Sequence, residues 1–288
     1  MTAFTEDSAG NPLIVFLHIP KTGGTTIWSI IRRQYTLKRS HRIMTGSLQQ
    51  NDAAFRALLR DRTASDRYRL IGAHMPYGVH EATTRPVTYF TLLRDPIQWL
   101  LSSYYKVIRR KEHHLHGEFT EQQVDINAGI ARLESNLQTR LIAGLFDDGD
   151  CTREHLDIAK RNLRDHFEVV GLMERYDESM LLLRRTYGWR LPFYYKENVG
   201  TNTRPKDAHS EATIAAAHAH NALDVELYAY AGELLDDRLH RQDASYAREY
   251  RLFTLINPWA GRVIRYRDEQ QERADAARRA AAESTAGA

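Results

Sequence analysis

Apolar residues along the chain alternate between short dense runs and stretches in which they recur every three or four positions. This is the pattern of buried strands joined by amphipathic helices. Four runs read as strands, Leu13–Ile19, Tyr68–Ala73, Val87–Leu93 and Phe167–Met173, with a shorter fifth at Leu191–Tyr195. Helical spacing follows at Ile27, Trp28, Ile30 and Ile31, and again over Asp52–Arg60, Ile97–Ile108, Glu134–Phe146, Asp150–Arg164, Asp177–Tyr187 and Asn221–Leu239. Thr120 with Gln123 reads as a capping box opening another helix. Between the first helix and Asp52, Tyr35 to Gln50 lacks a period and reads as an exposed loop. Strands alternating with helices predict an α/β fold of three layers, a central and mostly parallel sheet flanked by helices in the P-loop-like manner.

The 288 residues suit one α/β domain, expected over residues 1–265, with a charged helical to disordered tail over 266–288 where large apolar residues run out. Forty Lys and Arg against 37 Asp and Glu give a formal net charge of +3, too balanced to argue for a nucleic-acid partner. Any anion site must therefore be local. A single cysteine, Cys151, excludes an intrachain disulfide framework. The polar stretch Thr2–Gly10 lacks the order of a signal peptide, and no apolar run reaches membrane-spanning length, so the expectation is a soluble, cytoplasmic protein without a membrane anchor.

Candidate chemistry begins where the first strand ends, at His18-Ile19-Pro20-Lys21-Thr22-Gly23-Gly24-Thr25-Thr26. A glycine pair between strand and helix permits a tight turn, and the free N–H groups of the helix start would face an anion. Lys21 adds charge, and Thr25 or Thr26 adds a hydroxyl donor. The order differs from the nucleotide-triphosphatase loop, in which lysine follows the second glycine. His74, in Gly72-Ala73-His74-Met75-Pro76, closes the second strand where an open α/β sheet places reactive groups, and a near-neutral imidazole suits removal of a hydroxyl proton. A hydrogen-bonded structural histidine is the competing reading, because the chain has 13 histidines. Arg94-Asp95-Pro96 ends the third strand, and Ser102 follows on the next helix. Helix cap and surface serine form the bland alternative there.

Taken together, the His-x-Pro-Lys-Thr-Gly-Gly-Thr-Thr loop, His74 and the Arg94 to Ser102 pair resemble sulfotransferases, in particular the branch of heparan sulfate 2-O- and 6-O-sulfotransferases and their bacterial relatives. The resemblance implies 3′-phosphoadenosine 5′-phosphosulfate as donor and transfer of its sulfuryl group to an acceptor hydroxyl on a carbohydrate or small natural product. It implies that Lys21, Thr22, Gly23, Gly24, Thr25 and Thr26 hold the 5′-phosphosulfate, that Arg94 and Ser102 hold the 3′-phosphate, and that His74 is the base with Lys21 assisting the leaving group. Thr203 and Arg204, in the polar loop after Tyr195, are further nucleotide candidates. The Ser135-Asn136-Leu137-Gln138-Thr139-Arg140 string also recurs in that branch, and its residues suit either an acceptor-facing or a buttressing role. Lys38 to Arg42 and Arg109 to His116 are basic segments placed to meet an acceptor, with solvated surface as the plainer reading. His113, His114 and His116 lack a second ligand cluster at zinc-like spacing, and no metal is expected. The competing functions are an ATP-dependent P-loop phosphotransferase, which would need magnesium, and a nucleotide-binding protein without catalysis.

Overall fold

A computed structural model describes residues 12–36, 38–146, 149–195 and 209–286, with side chains described as far as Arg278. Five strands form one sheet: β1 (Leu13–Leu17), β2 (Ser40–Ile43), β3 (Leu70–Ala73), β4 (Val87–Leu93) and β5 (Phe167–Leu172). Every pairing is parallel, in the order β2-β3-β1-β4-β5. Burial on both faces explains the apolar runs, since all five residues of β1 are fully enclosed. Phe16 stacks on Phe90 across the β1–β4 pairing, with centroids 4.6 Å apart, at the centre of the core.

The helices are α1 (Gly24–Gln34), α2 (Leu48–Arg60), α3 (Arg62–Ser65), α4 (Pro96–Arg109), α5 (His116–Glu121), α6 (Ile126–Ala131), α7 (Leu137–Ala143), α8 (Arg153–His166), α9 (Tyr176–Tyr187), α10 (Glu211–His220), α11 (Ala222–His240) and α12 (Ser245–Ala286). They supply the outer layers of the expected three-layer α/β arrangement, with α9 and α11 packed against β5. β1 leads through α1 to the β2 edge, whereas β4 lies on the other side of β1. The chain therefore diverges between the carboxyl ends of β1 and β4, which is where open α/β sheets bind ligands.

Three local expectations are corrected. Tyr35 to Gln50 is not all exposed loop: it contains β2 and the start of α2, with Ser40 and Ile43 buried against the sheet. The Ser-His-Arg-Ile sequence hides a strand because it sits at the sheet edge and buries only its ends. Conversely, Leu191–Tyr195 forms no strand. Instead it is held on α12, where Phe193 stacks on Phe253 with centroids 5.4 Å apart and the Tyr194 N–H donates to Asn257 Oδ1 at 2.9 Å. Thr120 lies inside α5 and its hydroxyl donates back to the His116 carbonyl at 2.7 Å. Asp125 caps the next helix instead, accepting from the N–H groups of Asn127 and Ala128.

Candidate active site

Three neighbouring strands end at one edge of the sheet and each delivers a candidate group: β3 delivers His74, β1 the loop from His18 to Gly23, and β4 Arg94. Adjacent parallel strands lie about 4.8 Å apart, so these groups share an edge about 10 Å across.

The loop is shaped by its own side chains. Lys21 and Gly23 both adopt left-handed backbone, with φ of 67° and 81°. Gly23 tolerates this conformation without strain and is the N-cap of α1, so the free N–H groups of the first helical turn open at this edge. The Thr22 hydroxyl turns inward and donates to the Ile19 carbonyl at 2.8 Å, so any contact from Thr22 to a ligand comes from its main chain. Trp99, one turn into α4, donates its indole N–H to the Pro20 carbonyl at 2.7 Å and ties the loop to the next helix. Gly24 is required by close approach: a Cβ there would stand 1.6 Å from His18 Nε2.

His18 lies buried beneath that glycine, its ring stacked on Phe16 and 4.1 Å from the His74 ring, centroid to centroid. Burial, then the charges of His74 and Arg42, hold the His18 pKa well below its ordinary value. His74 Nδ1 lies 2.8 Å from the His18 carbonyl oxygen. A carbonyl oxygen only accepts, so Nδ1 carries the proton and Nε2 keeps the lone pair. Burial lowers the His74 pKa too, against the opposing effect of that hydrogen bond and with help from Arg42 and Lys106. Asn51, in the first turn of α2, donates to the His74 carbonyl at 3.1 Å and accepts from the Thr45 N–H at 2.7 Å, fixing the strand end from the far side.

Arg94 joins the third strand end to the loop, its Nη1 donating to the Lys21 carbonyl at 3.1 Å. Its backbone is held in turn by a buried amide. The Arg94 N–H donates to Gln138 Oε1 and the Arg94 carbonyl accepts from Gln138 Nε2, both at 2.9 Å. Asp95 then caps α4 through the N–H groups of Ile97 and Gln98, with Pro96 at the first helical position, where a missing N–H is harmless. Ser102 is buried on α4, and Lys106 follows one turn later on the same side. Lys21 sits among Arg94, Lys106, Arg109 and Arg110. Burial first, and these like charges next, push its pKa down to about 8. Crowding of cations to this degree is what an anion-binding edge requires.

Gln138 belongs to the polar string that the sequence left between two roles, and its position in the fold resolves them. Asn136 adopts left-handed backbone with φ of 52°, and its Oδ1 accepts from the N–H groups of Leu223 and Asp224 at 3.0 and 3.1 Å. Asp224, fully buried, accepts from the Thr139 N–H and hydroxyl at 2.7 Å each and from the Gln138 N–H at 3.2 Å. Burial raises its pKa to about 6 despite those donors. Asn136, Gln138 and Thr139 are therefore buttresses tying α7 to α11 and to Arg94.

His18, Lys106 and the Gln138 clamp were not assigned roles from sequence. His18 stands at the end of β1 as His74 stands at the end of β3, and Lys106 lies four residues after Ser102 on one helix. Both positions were visible signals. Thr25 is exposed and Thr26 buried in the first turn of α1. Thr203 and Arg204 lie outside the described residues. His116 Nδ1 lies 2.9 Å from the Val107 carbonyl, and His113 stacks on His114. Among the described residues no group of three or more His, Cys, Asp or Glu is placed to hold a metal ion.

A family model described as galactose-3-O-sulfotransferase matches residues 2–249. Among individual proteins, the chain is 28% identical over 299 residues to heparan-sulfate 6-O-sulfotransferase 2 of Danio rerio, covering 84% of this chain and 63% of that protein. It is 26% identical over 296 residues to heparan-sulfate 6-O-sulfotransferase 1 of Homo sapiens, covering 85% and 71%. Galactosylceramide sulfotransferase of Mus musculus is 27% identical over 240 residues, 75% of this chain and 55% of that protein. The chain thus spans less than two thirds of the Danio and Mus relatives it matches.

Proposed function

The chain belongs to the galactose-3-O-sulfotransferase family, and we propose that it transfers a sulfuryl group from 3′-phosphoadenosine 5′-phosphosulfate to a hydroxyl of a carbohydrate acceptor. The donor supplies an activated sulfuryl group on a phosphate leaving group. The residues present suit it: helix-start N–H groups and Lys21 for the phosphosulfate, Arg94 and Ser102 for a second phosphate, and an excess of cations around them.

His74 is the base. With Nδ1 committed to the His18 carbonyl, Nε2 accepts the acceptor's hydroxyl proton as the new O–S bond forms and the S–O bond to the phosphate breaks in line. The leaving oxygen keeps the electron pair. Lys21 and the N–H groups of the α1 start neutralise the charge that grows on it. Arg94, fastened to both the loop and Gln138, fixes the far end of the nucleotide and so the angle of attack.

The observation that carries this reading is the bond from Arg94 to the Lys21 carbonyl, which links the two anion-binding segments into one unit with His74 across β1. Titration calorimetry tests it. Binding of 3′-phosphoadenosine 5′-phosphate without magnesium, in preference to ATP, is expected; magnesium-dependent ATP binding with none of the 3′-phosphorylated nucleotide would return the site to the phosphotransferase reading.

A further inference from the structure

The longest helix, α12, has two faces of different character. Phe253, Asn257 and Ala260 are buried against the domain. On the flank beside them, turned to solvent, Leu252, Leu255, Ile256, Trp259, Val263 and Tyr266 form an apolar stripe, with Leu255 76%, Trp259 63% and Tyr266 64% exposed. Their steps of three and four residues place them on one face over about four turns.

The charges beside the stripe that have no ion-pair partner among the described residues are of one sign. Arg251 and Arg262 run along one margin, Arg267 along the other and Arg248 at its N-terminal end, all exposed and without an ion pair among the described residues. Arg265 is offset by Glu269. Glu249 turns the other way, to Arg184 and Arg185 of α9. A symmetric pairing of two copies through the stripe would set the arginine margin of one against the same margin of the other, so self-association is opposed by charge.

We propose that this face of α12 docks on an anionic lipid surface. An arginine-bordered apolar face with Trp and Tyr on it is suited to lie in the interface of a bilayer, with the aromatic rings at headgroup level and the guanidinium groups on the lipid phosphates. No described helix is long and apolar enough to cross a membrane, and the attachment proposed is through this face of α12.

The chain carries its own probe. Of its four tryptophans, Trp28, Trp99 and Trp189 are no more than 5% exposed, and Trp259 alone faces solvent. Vesicles of phosphatidylglycerol and phosphatidylcholine are expected to shift tryptophan emission to shorter wavelength, and brominated acyl chains to quench it. Affinity should be at least about tenfold weaker on phosphatidylcholine alone, since each cation near an anionic surface is worth about fivefold. Leu255→Ser with Ile256→Ser, which keeps the probe, and Arg251→Gln with Arg262→Gln should each weaken binding about tenfold or more, without a change in the thermal midpoint. No emission change, or equal binding to both lipids, would overturn the proposal. So would sedimentation equilibrium showing a dimer that Leu255→Ser with Ile256→Ser dissociates, which would assign the face to a second copy.

Discussion

Replacing Gln138 by leucine isolates the part of the site that acts at one remove from any ligand. The amide makes two hydrogen bonds to one residue, accepting from the Arg94 N–H and donating to the Arg94 carbonyl, and it is fully buried. Leucine has similar volume but leaves both backbone groups unpaired. Each lost bond is worth about 1 kcal/mol and each orphaned group costs about 1–3 kcal/mol. Because Arg94 is not fully enclosed and water can reach part of the gap, a loss of roughly 2–4 kcal/mol in stability is expected. The functional effect is larger in kind. Arg94 would no longer be held at the strand end, and a misplaced charge-assisted contact of about 1.5–3 kcal/mol corresponds to a loss of about 10- to 100-fold in affinity for a 3′-phosphorylated nucleotide. Titration calorimetry of 3′-phosphoadenosine 5′-phosphate against adenosine 5′-phosphate, alongside thermal unfolding, separates the two effects. Only the first ligand should weaken by that factor. Gln138→Glu supplies a sharper control: its carboxyl can donate to the Arg94 carbonyl only when protonated, so discrimination should return as pH falls. A lower thermal midpoint with the two ligands weakened equally would show that the clamp stabilises the fold but does not place Arg94.

Other outcomes follow from the same geometry. Gly24→Ala forces the His18 ring out of its stack between Phe16 and His74, and turnover should fall by more than the roughly 1–3 kcal/mol lost to overpacking would explain; a variant with normal turnover would show that His18 need not support His74. The kcat/KM profile for the donor should lose activity on the acid side as His74 protonates, with that limb shifted to lower pH than an ordinary histidine would give, and again above about pH 8, as Lys21 gives up its proton and with it its hold on the anion; Lys21→Arg should abolish the alkaline limb, and its persistence would remove Lys21 from that role. Asp224 titrates near 6 when folded against an ordinary 3.8, so the native state holds its proton more tightly than the unfolded chain. Its contribution is greatest below pH 4 and is lost as pH rises through 6, an amount on the order of 3 kcal/mol. Denaturant unfolding at pH 4.5 and 7 should show that slope in the native sequence and not in Asp224→Asn.

The sheet was legible where strands are enclosed on both sides, because β1 reads as an unbroken apolar run and β4 as a β-branched and aromatic one. It was illegible at β2, an edge strand of Ser, His, Arg and Ile, and misleading at Leu191–Tyr195, where Phe193 is covered by α12 instead of by a neighbouring strand. Among the candidates for the site, His74, Arg94 and the loop stood out because each directly follows a strand. The polar string at Asn136–Thr139 could not be assigned, because its partners are remote: Gln138 meets Arg94 across 44 residues and Asp224 across 86. Nothing local in a sequence reports such a pairing. The Thr22 hydroxyl was likewise not legible, since it is spent on the loop's own Ile19 carbonyl.

His74 as base and the loop as anion holder should be separable by substitution. Transfer of labelled sulfate from 3′-phosphoadenosine 5′-phosphosulfate to a panel of oligosaccharide acceptors, measured for the native protein and for His74→Ala, tests it most directly. The native protein should transfer label, and the variant should lose about 100- to 10,000-fold in rate while binding 3′-phosphoadenosine 5′-phosphate with nearly native affinity. Undiminished transfer by His74→Ala, or failure of the native protein to bind that nucleotide at all, would contradict it.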